Sequence, residues 1–298
     1  MKNKYVFVLV LLVIILAAGA VFTTLFVRYR GSDREEEEFS VVVSFYPMYV
    51  AAENVIGDCD GVQLESLTEQ QAGHLHDYQL TTQNMKLLST ADAFVINGGG
   101  IETFLSEVAG QYPALTVVDA SEGIPLIGDN AHVWMSIENY MEEVQNICDG
   151  LAAADADASH GEIYRQNTEN YLDELEELAG EAADLAGAIK GSPVVIFGEV
   201  YEYLADELAL STVGLLDLDD ERQVSAGEVA EILSVIENEH VPVIFAEELY
   251  AKDMAERVEQ ETDVQVLYLD SLTSGDYAAD SYMEGMRQNL QMIQNAYE

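Results

Sequence analysis

The chain has 298 residues, 49% of them hydrophobic, so it can form a packed core and is not a globally disordered protein. Twelve Lys and Arg residues stand against 55 Asp and Glu residues, which gives a formal net charge of −43. A surface this acidic repels phosphate backbones, so we expect no nucleic-acid partner.

The N-terminal segment predicts export. Tyr5–Val27 carries no charge and follows Lys2 and Lys4, and as a helix it would be about 34 Å long, enough to cross a bilayer. Because a secretory apolar region usually spans only about 7–15 residues, we favour an uncleaved anchor over a removed signal peptide. Residues 1–38 would then be a membrane anchor or signal followed by an acidic tether. The folded part would lie on the extracytoplasmic face of the cell membrane, or be secreted if the signal is cleaved.

From residue 41, short apolar runs alternate with amphipathic stretches. Strands that alternate with helices indicate parallel sheets, so the predicted fold is α/β with two lobes. In the first lobe we predict strands at Val41–Phe45, Ala93–Asn97 and Leu115–Asp119, with helices at Met48–Ile56, Thr82–Leu88, Ile101–Val108 and Ile137–Leu151. In the second lobe we predict strands at Val194–Phe197, Thr212–Leu215, Val241–Phe245 and Val264–Leu269, with helices at Val200–Leu208, Glu228–Glu237, Asp253–Glu261 and Tyr277–Tyr297.

One long helix is predicted between the lobes. Apolar residues recur there at spacings of four and three, which is typical of a continuous helical stripe, and Gly191-Ser192-Pro193 ends it. We therefore predict an N-terminal lobe at residues 39–158, a rigid linking helix at residues 159–190 and a C-terminal lobe at residues 191–298.

A small set of side chains could bind a metal between these lobes. His74, His76 and His132 fall in predicted loops. Glu199 and Asp270 follow or end strands, and ligands in parallel α/β proteins bind outside the carboxyl ends of strands. The candidate set comprises two imidazoles and two carboxylates: His76, His132, Glu199 and Asp270. Such a set fills a tetrahedral site and leaves no position for substrate, so we predict that the chain holds a metal and is not an enzyme.

Several short motifs, in order, resemble a known family. The matching pieces are Ser44-Phe45-Tyr46-Pro47, His76-Asp77-Tyr78-Gln79-Leu80-Thr81, residues 91–102, His132-Val133-Trp134, Phe245-Ala246-Glu247 and Leu269-Asp270-Ser271-Leu272. Over residues 41–298 the chain resembles the cluster A-I metal-binding proteins of ABC transporters, solute-binding protein family 9. The resemblance implies two α/β lobes joined by one rigid helix, with a metal held in the cleft between them. It also implies delivery to a membrane permease powered by a cytoplasmic ATPase, and we expect a monomer.

Carried over residue by residue, the resemblance implies His76 and His132 as the first two ligands and Asp270 as the fourth. The third position departs from the family. Zinc-type relatives read Phe-His-Glu after the strand, whereas this chain reads Phe197-Gly198-Glu199. Glu199 would have to reach the ion from one residue further along. His74 is an alternative third ligand, and an open or weakened site is the remaining possibility.

The cargo is expected to be one divalent metal, zinc or manganese. Two carboxylates in place of a third imidazole favour manganese, whereas the general affinity order of N/O sites favours zinc. The motifs resemble the zinc branch slightly more, although no His-rich loop lies between Tyr78 and Ala131. We choose zinc over manganese. Tyr78 and Trp134 are expected to wall the cleft or simply to pack.

Two rival functions fit parts of the sequence. His74-x-His76 imitates the paired histidines of some barrel metallohydrolases, but the residues before it are polar and the long helix has no place in such a barrel. A surface adhesin with a degenerate or structural metal site would also fit the anchor and the acidity.

Overall fold

Two four-stranded sheets form the two lobes. The computed structural model describes residues 38–68, 78–216, 218 and 224–298. The first sheet has the order β2-β1-β3-β4 and consists of β1 (Phe39–Val43), β2 (Val62–Ser66), β3 (Ala93–Ile96) and β4 (Thr116–Asp119). The second has the order β6-β5-β7-β8 and consists of β5 (Pro193–Phe197), β6 (Ser211–Leu216), β7 (Val243–Ala246) and β8 (Gln265–Tyr268).

Both sheets are built on parallel pairs. β3 pairs with β1 and with β4, while β5 pairs with β6 and β7, and β7 with β8. Every residue of β3 and of β7 is buried, which is expected of parallel strands because helices cover both faces. The predicted α/β fold with two lobes is therefore confirmed. In each sheet, the loops after the strands open at the same edge, and this places the candidate ligands.

Nine α-helices are seen in the described ranges. In the first lobe they are α1 (Tyr46–Ile56), α2 (Thr82–Leu88), α3 (Leu105–Gln111) and α4 (Ile137–Ala154). The second lobe contains α6 (Glu202–Glu207), α7 (Ala226–Glu239), α8 (Glu248–Glu261) and α9 (Ser281–Tyr297). α7 begins with a capping box, in which the side chains of Ser225 and Glu228 each accept a hydrogen bond from the other's backbone N–H. Two short 3₁₀ helices, Val133–Met135 and Glu199–Tyr201, carry site residues.

The predicted linking helix is confirmed as α5 (Ala158–Ile189), 32 residues in length. At 1.5 Å per residue it is about 48 Å long. The apolar stripe is buried at Tyr171, Leu175, Leu178 and Ala182. The helix packs against α1 and α4 of the first lobe and α9 of the second. Gly191, with a φ of +75°, lies just beyond its end.

Two predicted helices begin four residues later than their patterns suggest, and one of them is α9, which starts at Ser281 rather than Tyr277. α3 starts at Leu105 rather than Ile101, because the preceding segment makes a tight loop instead. The side chain of Glu102 turns back and accepts hydrogen bonds from the backbone N–H groups of Asn97 and Gly98, at 2.7 and 3.0 Å. Gly98 has a φ of +85°, which glycine adopts readily.

The predicted membrane anchor at Tyr5–Val27 lies outside the described residues and stays a prediction. In the ranges that the structure describes, no helix has the length and apolar character needed to cross a membrane. Cys59 and Cys148 are both buried and form no disulfide.

Candidate metal centre

The candidate ligands in the described residues follow strands of the two sheets. In the first lobe, the chain leaves β4 at Asp119 and reaches His132 before α4 begins. In the second lobe, Glu199 comes two residues after β5 and Asp270 two residues after β8. Because the carboxyl ends of parallel strands meet at one edge of a sheet, both second-lobe acids lie on the same edge.

His132 is buried, with 6% of its surface exposed. Its ring Nδ1 lies 2.9 Å from Asn130 Oδ1, which also accepts the backbone N–H of His132 at 2.9 Å. The indole ring of Trp134 packs edge-on against the imidazole, with 5.1 Å between ring centroids. The imidazole is therefore held in place by an amide on one side and an aromatic ring on another.

Glu199 reaches His132 because of the residue before it. Gly198 has φ +116° and ψ +129°, a conformation that residues with a Cβ rarely adopt. The chain turns there and begins the 3₁₀ helix Glu199–Tyr201. Oε1 of Glu199 then lies 3.7 Å from His132 Nδ1, with about a third of the side chain (32%) exposed. This is too long for a hydrogen bond, but it brings a carboxylate of the second lobe to an imidazole of the first.

Asp270 is fixed by its backbone and accessible at its side chain. Its N–H donates to Asn289 Oδ1 at 2.8 Å, and its carbonyl accepts from Asn289 Nδ2 at 2.8 Å. Oδ1 accepts the N–H of Leu272 at 2.8 Å. Although the residue is exposed, neighbouring protein removes part of the hydration of its carboxyl group and raises its pKa above the usual value, while the Leu272 N–H opposes the rise.

The two residues predicted to wall the cleft have different environments. Trp134 is fully buried, and its Nε1 donates to Ser271 O at 3.0 Å, so it connects the His132 loop to the residue after Asp270. Tyr78 is half-buried, and its hydroxyl donates to Leu67 O at 2.9 Å. Its ring packs edge-on against Phe45 and Phe104. Trp134 therefore packs against a candidate ligand, whereas Tyr78 makes these contacts within the first lobe.

His76 and His74 lie outside the described residues, in the segment 69–77. The described part of the chain contains no group of three or more His, Cys, Asp or Glu side chains placed to hold a metal ion. Of the predicted ligands, the structure thus brings His132 and Glu199 together. Asp270 is linked to this pair only through Trp134. The Trp134 ring packs against His132, and its Nε1 donates a hydrogen bond to the carbonyl of Ser271, the residue after Asp270.

Two polar residues near this centre were not predicted as site residues. Glu247 follows β7, and its Oε1 accepts a hydrogen bond from Ser271 Oγ at 3.2 Å, next to Asp270. The signal was present in the sequence, since Phe245-Ala246-Glu247 ends a predicted strand in the same way as Asp270. No sequence pattern marked Asn130, because its contacts depend on how the loop that contains His132 folds.

Buried carboxyl groups lie behind the His132 loop. Glu102 accepts hydrogen bonds from Ser44 Oγ and two backbone N–H groups, yet burial raises its pKa to about 7. Glu143 is fully buried, and neither carboxyl oxygen has a hydrogen-bond partner among the described residues. Burial, with Glu102 and Asp119 nearby, raises the Glu143 pKa well above its usual value. Because a raised pKa favours the neutral acid, Glu143 adds little negative charge at neutral pH, whereas Glu102 is about half-ionised there.

The whole folded part matches a family of metal-uptake proteins. Residues 41–296 match the family described as ZnuA, zinc-uptake complex component A, periplasmic. The chain belongs to this family. Its members are metal-binding solute-binding proteins, so the chain is not an enzyme and the hydrolase alternative is wrong.

Two curated relatives span nearly the same length. The manganese-binding lipoprotein MntA of Halalkalibacterium halodurans is 26% identical over 272 residues, covering 87% of this chain and 89% of the relative. The high-affinity zinc uptake system protein ZnuA of Bacillus subtilis is 25% identical over 294 residues, covering 90% of each.

A solved structure shares the fold. The solute-binding protein FpvC of Pseudomonas aeruginosa, in complex with Ni²⁺, aligns with a TM-score of 0.77 and 23% identity. The alignment covers 87% of this chain and 96% of that protein. It supports the two-lobed architecture.

Proposed function

We propose that this chain is an extracytoplasmic solute-binding protein that captures a divalent transition metal for import by an ABC transporter. Zinc is the favoured cargo and manganese the next. The proposed ligands are His76, His132, Glu199 and Asp270, with His74 as a possible additional ligand. The family match is to metal-uptake proteins, so we do not carry the adhesin alternative forward.

The observation that carries this proposal is the 3.7 Å approach of Glu199 Oε1 to His132 Nδ1. These residues follow strands of different sheets, so a cation shared by them would join the two lobes. A carboxylate beside an imidazole is a typical pair of ligands for divalent transition metals. Asp270, on the same edge of the second sheet, supplies a further oxygen ligand in this proposal.

Metal choice follows from the donor set. A site with two imidazoles and two carboxylates accepts both zinc and manganese, and the general affinity order favours zinc. The relatives include a protein named for manganese and one named for zinc, so both metals belong in the test. We favour zinc for the affinity order and because the motifs resemble the zinc branch slightly more.

Capture would proceed by ligand exchange at the cleft, with no chemical step. The N-terminal apolar segment would hold the protein at the extracytoplasmic face of the membrane, near the permease and its cytoplasmic ATPase. Release would require the permease to separate the lobes. Because Glu199 and Asp270 belong to the second lobe and are more accessible than His132, we expect one of these carboxylates to leave the ion first.

The test is a calorimetric titration of zinc and manganese into the metal-stripped, full-length chain in detergent. We expect tight one-to-one binding, lost in His132→Asn and weakened in Glu199→Gln. Two variants serve as matched controls: His240→Asn at the exposed end of α7 and Glu248→Gln at the exposed start of α8. Weak multi-site binding that is indifferent to all four changes would show that the acidic surface alone attracts metal, and would overturn the proposal.

A further inference from the structure

Asn130 occupies a position between the two lobes, and its side-chain orientation follows from its partners. Its Nδ2 donates to the backbone carbonyl of Glu199 at 2.8 Å and to Glu202 Oε2 at 2.9 Å. A carbonyl and a carboxylate only accept hydrogen bonds, so the amide nitrogen must face them. The oxygen Oδ1 therefore faces the first lobe, where it accepts the backbone N–H of His132.

This orientation determines which ring nitrogen of His132 carries the hydrogen. Nδ1 lies 2.9 Å from Oδ1, and Oδ1 can only accept. Nδ1 must then be the donor, and a neutral imidazole with its hydrogen on Nδ1 has its lone pair on Nε2. Since a metal needs that lone pair, the network selects Nε2 as the coordinating atom.

The same loop is bonded to the second lobe through its backbone. Tyr203, in α6, donates its hydroxyl hydrogen to Asn130 O at 2.7 Å and accepts the N–H of Ile127 at 3.0 Å. Glu207, also in α6, accepts the N–H of Ile137 at 2.7 Å. The loop that carries His132 is thus held by three side chains of the second lobe: Glu202, Tyr203 and Glu207.

We propose that Asn130 is a positioning residue for metal capture. It holds His132 as the Nδ1–H tautomer with Nε2 as the coordinating nitrogen, and it ties that imidazole to the backbone that carries Glu199. The inference rests on the proposed function. It adds a residue that does not contact the ion but acts through a ligand, as hydrogen-bond acceptors of metal-binding histidines commonly do.

The role of Asn130 can be separated from a general effect on folding by NMR. The full-length chain would be labelled with ¹⁵N-histidine and studied without metal at mildly alkaline pH, with the His132 signals assigned by their loss in His132→Gln. We expect the Nδ1–H tautomer in the wild type and a mixture of tautomers in Asn130→Ala. Asn130→Asp keeps an acceptor for Nδ1 and should retain the wild-type tautomer.

Zinc titrations of the same proteins complete the test. We expect the dissociation constant of Asn130→Ala to rise by roughly 10–100-fold, the usual cost of losing such an acceptor. Asn146→Ala is the matched control, because Asn146 likewise donates two hydrogen bonds, to Ala120 O and Glu122 O, without touching His132. Its zinc affinity and the His132 tautomer should be unchanged.

The inference requires both effects in Asn130→Ala. An unchanged tautomer, or a changed tautomer with unchanged zinc affinity, overturns it. A wild-type chain that binds no zinc would overturn the proposed function instead. The tautomer comparison would then decide by itself whether Asn130 orients His132.

Discussion

The two sides of the candidate site differ in how firmly they hold their ligands. On the first-lobe side, His132 is 6% exposed and is fixed by Asn130 and Trp134. On the second-lobe side, the Glu199 side chain is about one-third exposed, and solvent reaches Asp270. One lobe thus supplies a rigid imidazole and the other supplies accessible carboxylates.

If the proposed ligands bind the ion, this difference predicts separate roles for the two lobes in binding and release. A buried ligand of fixed orientation loses little conformational freedom when it binds the ion, so it favours affinity. Glu199 lies on the Nδ1 side of the His132 ring, so its side chain must rotate to share an ion bound at Nε2. A carboxylate that rotates towards the ion can also rotate away from it, which fits the expectation that a second-lobe ligand leaves the ion first.

The largest effect predicted on the first-lobe side concerns Glu102. Its pKa is raised from 4.5 to about 7, so the unfolded chain releases this proton near pH 4.5 while the native chain keeps it until about pH 7. The free energy of unfolding should therefore fall as pH rises through this window, by roughly 3 kcal/mol from Glu102, and stay level above it. Glu102→Gln should lose this part of the slope.

Urea unfolding at several pH values across the window measures the slope, whatever the absolute stability of the variant. Glu107→Gln is the control, because Glu107 lies on the exposed face of α3 in the same lobe. Repulsion among the 55 acidic residues also lowers the free energy of unfolding as pH rises, so the test is the difference in slope between the variants. Equal slopes in wild type and Glu102→Gln would contradict the account.

The second-lobe side depends on the backbone at Gly198. Gly198→Ala should lower the free energy of unfolding by about 2 kcal/mol, because alanine is strained at a φ of +116°. Gly187→Ala is the control: Gly187 lies in α5 with open space around its Cβ position, so alanine should stabilise the chain by up to about 1 kcal/mol. Thermal unfolding measures both, and a Gly198→Ala variant as stable as wild type would refute the proposed need for glycine.

The smallest predicted effect is at Asp270. Asp270→Asn keeps the oxygen that accepts the Leu272 N–H but removes the negative charge, so zinc affinity should fall by roughly 10-fold, or about 1.4 kcal/mol. Asp276→Asn is a close control, because Asp276 Oδ1 accepts the N–H of Ala278 in the same two-residue pattern. If both variants bind zinc like the wild type, Asp270 is not a ligand.

Most of the fold could be predicted from the sequence, and the one strand that was missed shows what such a prediction needs. Buried strands and the linking helix have strong periodic patterns, and α2 matches its predicted range of Thr82–Leu88. β2 (Val62–Ser66) was not predicted. It lies at the edge of its sheet and only alternate residues are half-buried, so it contains Gln63 and Glu65 and gives no apolar run.

The candidate site was harder to predict from the sequence than the fold. Strand ends identified Glu199 and Asp270 as candidates, but whether Glu199 could approach His132 depended on the conformation of Gly198, which no pattern of residue types specifies. The role of Asn130 depends on bonds to Glu199 and Glu202, about 70 residues away in the chain. Contacts of this range follow from packing of the two lobes, not from local spacing.

The most direct test of the central claim is X-ray absorption spectroscopy of the zinc-loaded, full-length chain. Imidazole ligands give a distinctive scattering pattern, so their number can be counted. The account predicts two imidazoles and two carboxylate oxygens at about 2.0–2.2 Å, with one oxygen lost in Glu199→Gln. Three imidazoles, or a spectrum indifferent to Glu199→Gln, would contradict the claim that Glu199 is the third ligand.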